Sequence, residues 1–170
     1  MQRILKTMRK YLTLEKLNDS PNVAIYSPKF EGETETEFEK FLRTYSIPKY
    51  QKDIAIILTR LEKIQIDGAQ DRHFRYESKM NEKIRAIPPN IETSKLRLYC
   101  ICFNEKMIIL GGGGVKNTRT YQEDPALNEQ VERLKLIHRQ LLYEIQKNPD
   151  VISDSVLEND IRFYINEDSK

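Results

Sequence analysis

In the run His73-Phe74-Arg75-Tyr76-Glu77 polar and apolar residues alternate, so a strand here places His73, Arg75 and Glu77 on one face. The later run Leu96-Arg97-Leu98-Tyr99 does the same for Arg97 and Tyr99. Where the two faces coincide, cations and aromatic rings share a surface with an imidazole and a carboxylate. Cleavage of RNA needs a base to activate a 2′-hydroxyl, cations around the pentavalent phosphate and a proton donor for the leaving oxygen. Arg, Lys, Tyr, His and Glu fill those roles without a metal. The competing reading is a solvated face of a half-exposed sheet with ordinary cross-strand charge pairs.

Two other constellations carry less. The run Gly111-Gly112-Gly113-Gly114-Val115-Lys116 invites a phosphate-loop reading, but Val115 separates the last glycine from Lys116 and the next helix starts only near Pro125. A strand end that needs positive φ or close backbone approach explains the glycines better. Cys100 and Cys102 share a strand face but have no second half-site. The only imidazoles, His73 and His138, lack ligand spacing to another candidate, and His138 lies on an apolar helical stripe. The cysteines read as small core residues, and no metal site and no cofactor is expected.

Periodicity supplies the elements that must hold these residues. Ile4, Leu5, Met8, Tyr11 and Leu12 repeat at helical spacing, which predicts an N-terminal helix over residues 1–18, ended by Asn18-Asp19-Ser20-Pro21. Residues 22–27 read as a first strand closed by Pro28. Phe38, Phe41, Leu42 and Tyr45, then Ile54, Ile57, Leu58, Leu61 and Ile64, predict a helix pair joined by a tight turn at Ile47-Pro48 and stopped at Gly68. Strands over 73–77, 83–87, 95–103 and 106–110 make an antiparallel meander. Asp124-Pro125 is a helix start, and Leu127, Val131, Leu134, His138, Leu141 and Ile145 carry that helix to Asn148-Pro149. Residues 161–165 read as a last strand.

Length and charge bound the answer. A chain of 170 residues fits one domain. With 39% apolar and 32% charged residues it can bury a core, which excludes global disorder. No apolar run approaches the ~18 residues of a spanning helix, the start MQRILKTMRKYL lacks the order of an export signal, and two cysteines form no disulfide framework. A cytoplasmic protein without a membrane partner is expected. The 28 basic and 26 acidic residues give a net charge of only +2, yet Arg72 to Arg119 holds ten Lys or Arg against four Glu, and Asn148 to Lys170 six acids against two bases. A basic middle meets an acidic tail. If the strand at 161–165 joins the sheet, Glu158, Asp160, Glu167 and Asp168 come near the rim of the basic face and damp nonspecific RNA binding.

The helix pair followed by Phe74-Arg75-Tyr76-Glu77, Lys83-Ile84-Arg85-Ala86-Ile87-Pro88, Leu96-Arg97-Leu98-Tyr99-Cys100-Ile101, and Ile108-Ile109-Leu110 before Lys116-Asn117-Thr118 resembles the RelE/HigB-type toxins of bacterial toxin–antitoxin systems. The resemblance covers roughly residues 22–124. It implies an α+β fold, a small antiparallel sheet packed by a helix pair, to which this chain adds the N-terminal helix, a long C-terminal helix over 125–146 and an edge strand. It implies a toxin that cleaves messenger RNA on the ribosome without a metal, partnered by a cognate antitoxin. Arg97 matches the central-strand Arg that the family sets on the scissile phosphate, and Lys116 with Thr118 is similar to its Lys-Lys-Thr. Arg75, Glu77, His73 and Tyr99 complete the expected catalytic set, with Arg85, Arg119 and Tyr121 on the RNA. The four-glycine loop and the long C-terminal helix depart from the family. The alternative is a protein-binding module on the same fold, an inactive relative or a gyrase-directed toxin of the ParE branch.

Overall fold

The computed structural model describes residues 8–76, 83–89, 94–153, 156–157 and 161–167. Its strands are β1 (Met8–Lys16), β2 (Ala24–Phe30), β3 (Arg75–Tyr76), β4 (Ile84–Ile87), β5 (Leu96–Asn104), β6 (Met107–Val115), β7 (Ile152–Ser153), β8 (Val156–Leu157) and β9 (Arg162–Glu167). Its α-helices are α1 (Glu37–Tyr45), α2 (Gln51–Asp67) and α3 (Pro125–Lys147). Seven strands form one sheet in the order β3-β4-β5-β6-β2-β1-β9, and β7 pairs with β8 apart from it. All neighbours in the large sheet are antiparallel except β2 and β6, which run parallel through Ala24–Met107, Ile25–Ile108 and Tyr26–Ile109. The fold is α+β, as expected, but the sheet is large and mixed instead of small and antiparallel. Among the described residues no helix is long and apolar enough to cross a membrane.

The helix expected over 1–18 is a strand from Met8 onward, and residues 1–7 lie outside the described ones. Leu12 and Leu14 are buried while Tyr11, Thr13 and Glu15 face the other way, a period of two. β1 has partners on both sides, β2 and β9, and those long-range ladders override the helical spacing of Met8, Tyr11 and Leu12. The strand expected over 22–27 is β2, which runs past Pro28 to Phe30. Its pairing with β6 ends at Tyr26, so Pro28 sits where β1 is the remaining partner, a position that tolerates a missing N–H.

α1 and α3 begin at side-chain caps. The Thr36 hydroxyl accepts from the Glu39 N–H at 3.2 Å while the Glu39 carboxylate accepts from the Thr36 N–H at 3.1 Å, a capping box that opens α1. Asp124 accepts from the N–H groups of Ala126 and Leu127 at 3.0 and 3.3 Å, with Pro125 at the first position of α3. α2 ends at Gly68, whose φ of 84° suits glycine.

Two apolar layers sandwich the sheet. On one face α1 and α2 pack Phe41, Ile54, Ile57, Leu61 and Ile64 over Ile25, Leu98, Cys100 and Ile108. On the other, α3 packs Leu127, Val131, Leu134, Ile137 and Leu141 over Tyr99, Ile101, Met107 and Ile109. Ile137, not His138, completes the buried stripe. His138 is half-buried against Phe103, ring centroids 6.3 Å apart, and burial together with Lys83 holds its pKa below the usual imidazole value.

Candidate functional site

The glycine run lies inside β6, not in a loop beyond it. Leu98 pairs with Gly113 but Cys100 pairs with Leu110, so β6 carries an extra residue and bulges at Gly111-Gly112. A Cβ on Gly111 would meet the Leu134 side chain at 2.8 Å and one on Gly114 would meet Leu127 at 3.1 Å. The glycines let α3 lie close on the sheet, and none of the four has positive φ. The segment after β6 holds Lys116, half-buried, and Arg119, exposed, with the Thr118 hydroxyl donating to the Thr120 carbonyl at 2.6 Å.

That close approach decides the fate of the central strand. Arg97 is 2% exposed and Tyr99 0%. Both point to the α3 face, where Leu127 lies over Gly114, the partner of Arg97 in the ladder. The Arg97 guanidinium donates to the carbonyls of Ser94 and Leu96 at 2.7 and 2.8 Å, tying down the chain that enters β5. Tyr99 packs edge-on against Tyr121, centroids 6.3 Å apart, and Tyr121 is itself buried, with the Lys135 ammonium donating to its hydroxyl at 3.4 Å.

His73 does not share that face. It sits in a short 3₁₀ turn before β3, 1% exposed, against α2. Its Nδ1 lies 3.3 Å from an Arg60 guanidinium nitrogen and accepts from it, which leaves the proton on Nε2, 3.3 Å from Asp67 Oδ2. Burial first, then Arg60 and Arg72, pushes its pKa below the ordinary value, while Asp67 pulls it up. The hydrogen bond from Arg72, above all, lowers the pKa of Asp67. This imidazole is neutral and fixed, a link between α2 and the turn.

Arg75 pairs with Ala86, which pairs with Tyr99, so these three share the α3 face. Arg85 pairs with Cys100 and lies on the opposite face, its guanidinium 4.5 Å from the Tyr76 ring and 2.7 Å from Asp71. Glu77 lies outside the described residues. The structure therefore splits the expected set: Arg75, Arg97 and Tyr99 under or beside α3, His73 and Arg85 on the helix-pair side, Lys116 and Arg119 beyond the end of β6.

Cys100 and Cys102 are buried and free, and burial together with the neighbouring Cys102 raises the Cys100 thiol well above its usual range, which leaves it protonated and unreactive. Among the described residues no three His, Cys, Asp or Glu side chains cluster as a metal site. The strand expected over 161–165 is present as β9 and joins the sheet. It lies at the edge opposite β3, and Glu167 is held by Arg133 at 2.7 Å and Lys10 at 2.8 Å. Glu158, Asp160 and Asp168 lie outside the described residues.

One constellation was missed because residues 1–18 read as a helix. Tyr11 pairs with Tyr164 across β1 and β9, ring centroids 5.4 Å apart, and each ring carries an arginine from the other strand: Arg9 4.8 Å over Tyr164, Arg162 4.0 Å over Tyr11. The signal was an Arg-x-Tyr at strand spacing in both segments, Arg9-Lys10-Tyr11 and Arg162-Phe163-Tyr164. Comparison with protein-family models, with curated proteins and with solved structures finds no match.

Proposed function

We propose that the chain is the toxin component of a toxin–antitoxin pair on a RelE/ParE-like core, and that it acts by binding a protein target instead of cutting RNA. The order of elements from β2 onward supports the core: β2, a helix pair, then an antiparallel meander whose last strand, β6, returns beside β2. The observation that carries the mode of action is the burial of Arg97 and Tyr99 on the face that α3 covers. To reach a phosphate, Arg97 would need α3 lifted, with five buried apolar side chains exposed. At about 1.5–3 kcal/mol each, that costs roughly 7–15 kcal/mol, comparable with the whole stability of a small domain. Arg97 is therefore a clamp on the entry to β5, and the partners are a cognate antitoxin and a protein target.

The second reading, a ribosome-dependent, metal-independent endoribonuclease, is favoured by the position of Lys116 and Arg119 on the surface segment that leaves β6. Induced expression with growth curves and transcript-end mapping separates the two. The protein-directed reading expects growth arrest with transcript ends unchanged. New ends that disappear in the Lys116→Ala, Arg119→Ala double variant favour the nuclease, and normal growth overturns both.

A further inference from the structure

The helix-pair face of the sheet is not covered evenly. α1 and α2 pack mainly over β2, β5 and β6, and among the described residues neither helix packs extensively on the continuation of that face over β1 and β9. Tyr11, Thr13 and Tyr164 are half-buried there, and Arg9 and Arg162 are exposed. The two tyrosine rings lie side by side at the centre, with a guanidinium stacked from each side.

We propose that this Arg9–Tyr164–Tyr11–Arg162 ladder is a stacking platform for single-stranded nucleic acid. Aromatic rings on an exposed sheet face take bases of any sequence, and guanidinium planes take either a base or a backbone phosphate. The charge fits such an occupant. Lys29 and Arg162 are engaged by Glu15 at 3.2 Å and Glu31 at 3.1 Å, but among the described residues no carboxylate pairs with Arg9, which rests on the Tyr164 ring alone. Glu33, on the rim of the same surface, is held by Lys40, so among the described residues Arg9 is the cation left without a carboxylate, and it stands beside a ring. A shallow cavity of about 180 Å³ borders it, lined by Thr13, Lys29, Glu31, Gly32, Glu33 and Arg162, and offers donors and acceptors to a base edge or a ribose. The platform is at the sheet edge opposite β3 and uses none of the residues of the toxin reading, so the two stand or fall separately.

The test is fluorescence anisotropy with the full chain and a short fluorescein-labelled oligoribonucleotide of mixed sequence, competed with the unlabelled strand and with its duplex. The platform predicts binding that the single strand competes and the duplex does not. Tyr11→Ala and Tyr164→Ala should each weaken it roughly tenfold or more, and Tyr→Phe at either position should keep it, since the ring does the stacking. Arg9→Gln with Arg162→Gln should reduce the slope of log K against log salt by roughly 1.4, about 0.7 for each phosphate no longer neutralised. Melting curves of the same variants separate a binding defect from a folding defect. No binding by the wild-type chain, equal competition by the duplex, or Tyr→Ala variants that fold and bind like the wild type overturns the proposal.

Discussion

Gly113 lies directly against the backbone of Arg97: a Cβ built on it would stand 1.8 Å from the Arg97 carbonyl oxygen. The obstacle is main chain inside a ladder, which cannot swing aside. Gly113→Ala should therefore cost about 3 kcal/mol or more, the upper end of over-packing penalties. Gly111→Ala meets only the end of the Leu134 side chain and should cost about 1 kcal/mol. Denaturant midpoints of the two variants check the order, and a Gly113 variant as stable as the wild type would mean that the bulge re-forms elsewhere.

Arg97→Met keeps most of the volume and removes the donors to the Ser94 and Leu96 carbonyls. The expected loss is about 2–4 kcal/mol, because buried acceptors are left without a charged donor. Urea unfolding reads it directly. A variant of unchanged stability whose effect on growth is gone would return Arg97 to the role of phosphate ligand.

What the sequence made legible followed from local patterns. The helix pair, the meander and α3 each have their own turn residues or stripes, such as Ile54, Ile57, Leu61 and Ile64 in α2 and Asp124 with Pro125 before α3. β1 does not, since Met8, Tyr11 and Leu12 satisfy a helical period and only pairing with Phe163 and Phe30 decides for a strand. The site was legible in its residue types but not in its faces. Alternation correctly places Arg97 with Tyr99, yet no pattern within β5 announces that glycines in β6 will let α3 settle over that face. His73 fell into a 3₁₀ turn, where strand alternation does not apply.

Acid should weaken the fold through its two histidines. Both His73 and His138 have depressed pKa values in the folded state, chiefly by burial. As pH falls below the ordinary imidazole value of about 6.5, the unfolded chain takes up protons that the folded chain refuses, so stability falls with pH. Each group contributes a slope of up to about 1.4 kcal/mol per pH unit until its folded pKa is reached. Unfolding free energies between roughly pH 5 and 7 should show this slope, and His73→Gln should reduce it. A flat profile in the wild type would mean that the imidazoles titrate normally.

Truncation after Asn148 should damage the core. It removes β9 and the buried side chains of Leu157, Phe163 and Ile165, together with the Glu167 carboxylate that holds Arg133. At about 1.5–3 kcal/mol per side chain, the loss is roughly 5–9 kcal/mol, a large part of the stability of a domain of this size. The truncated chain should melt far lower and bind a hydrophobic dye. A truncation that unfolds cooperatively at the wild-type temperature would make the tail a peripheral segment.

Arg97 is buried on the α3 face of the sheet, tied to the Ser94 and Leu96 carbonyls, and the proposed function gives it that structural role alone. Transcript-end mapping in cells induced for the wild-type chain, with growth followed in parallel, tests this most directly. The predicted result is growth arrest with the pattern of transcript ends unchanged. New messenger RNA ends that appear within translated regions on induction would contradict it.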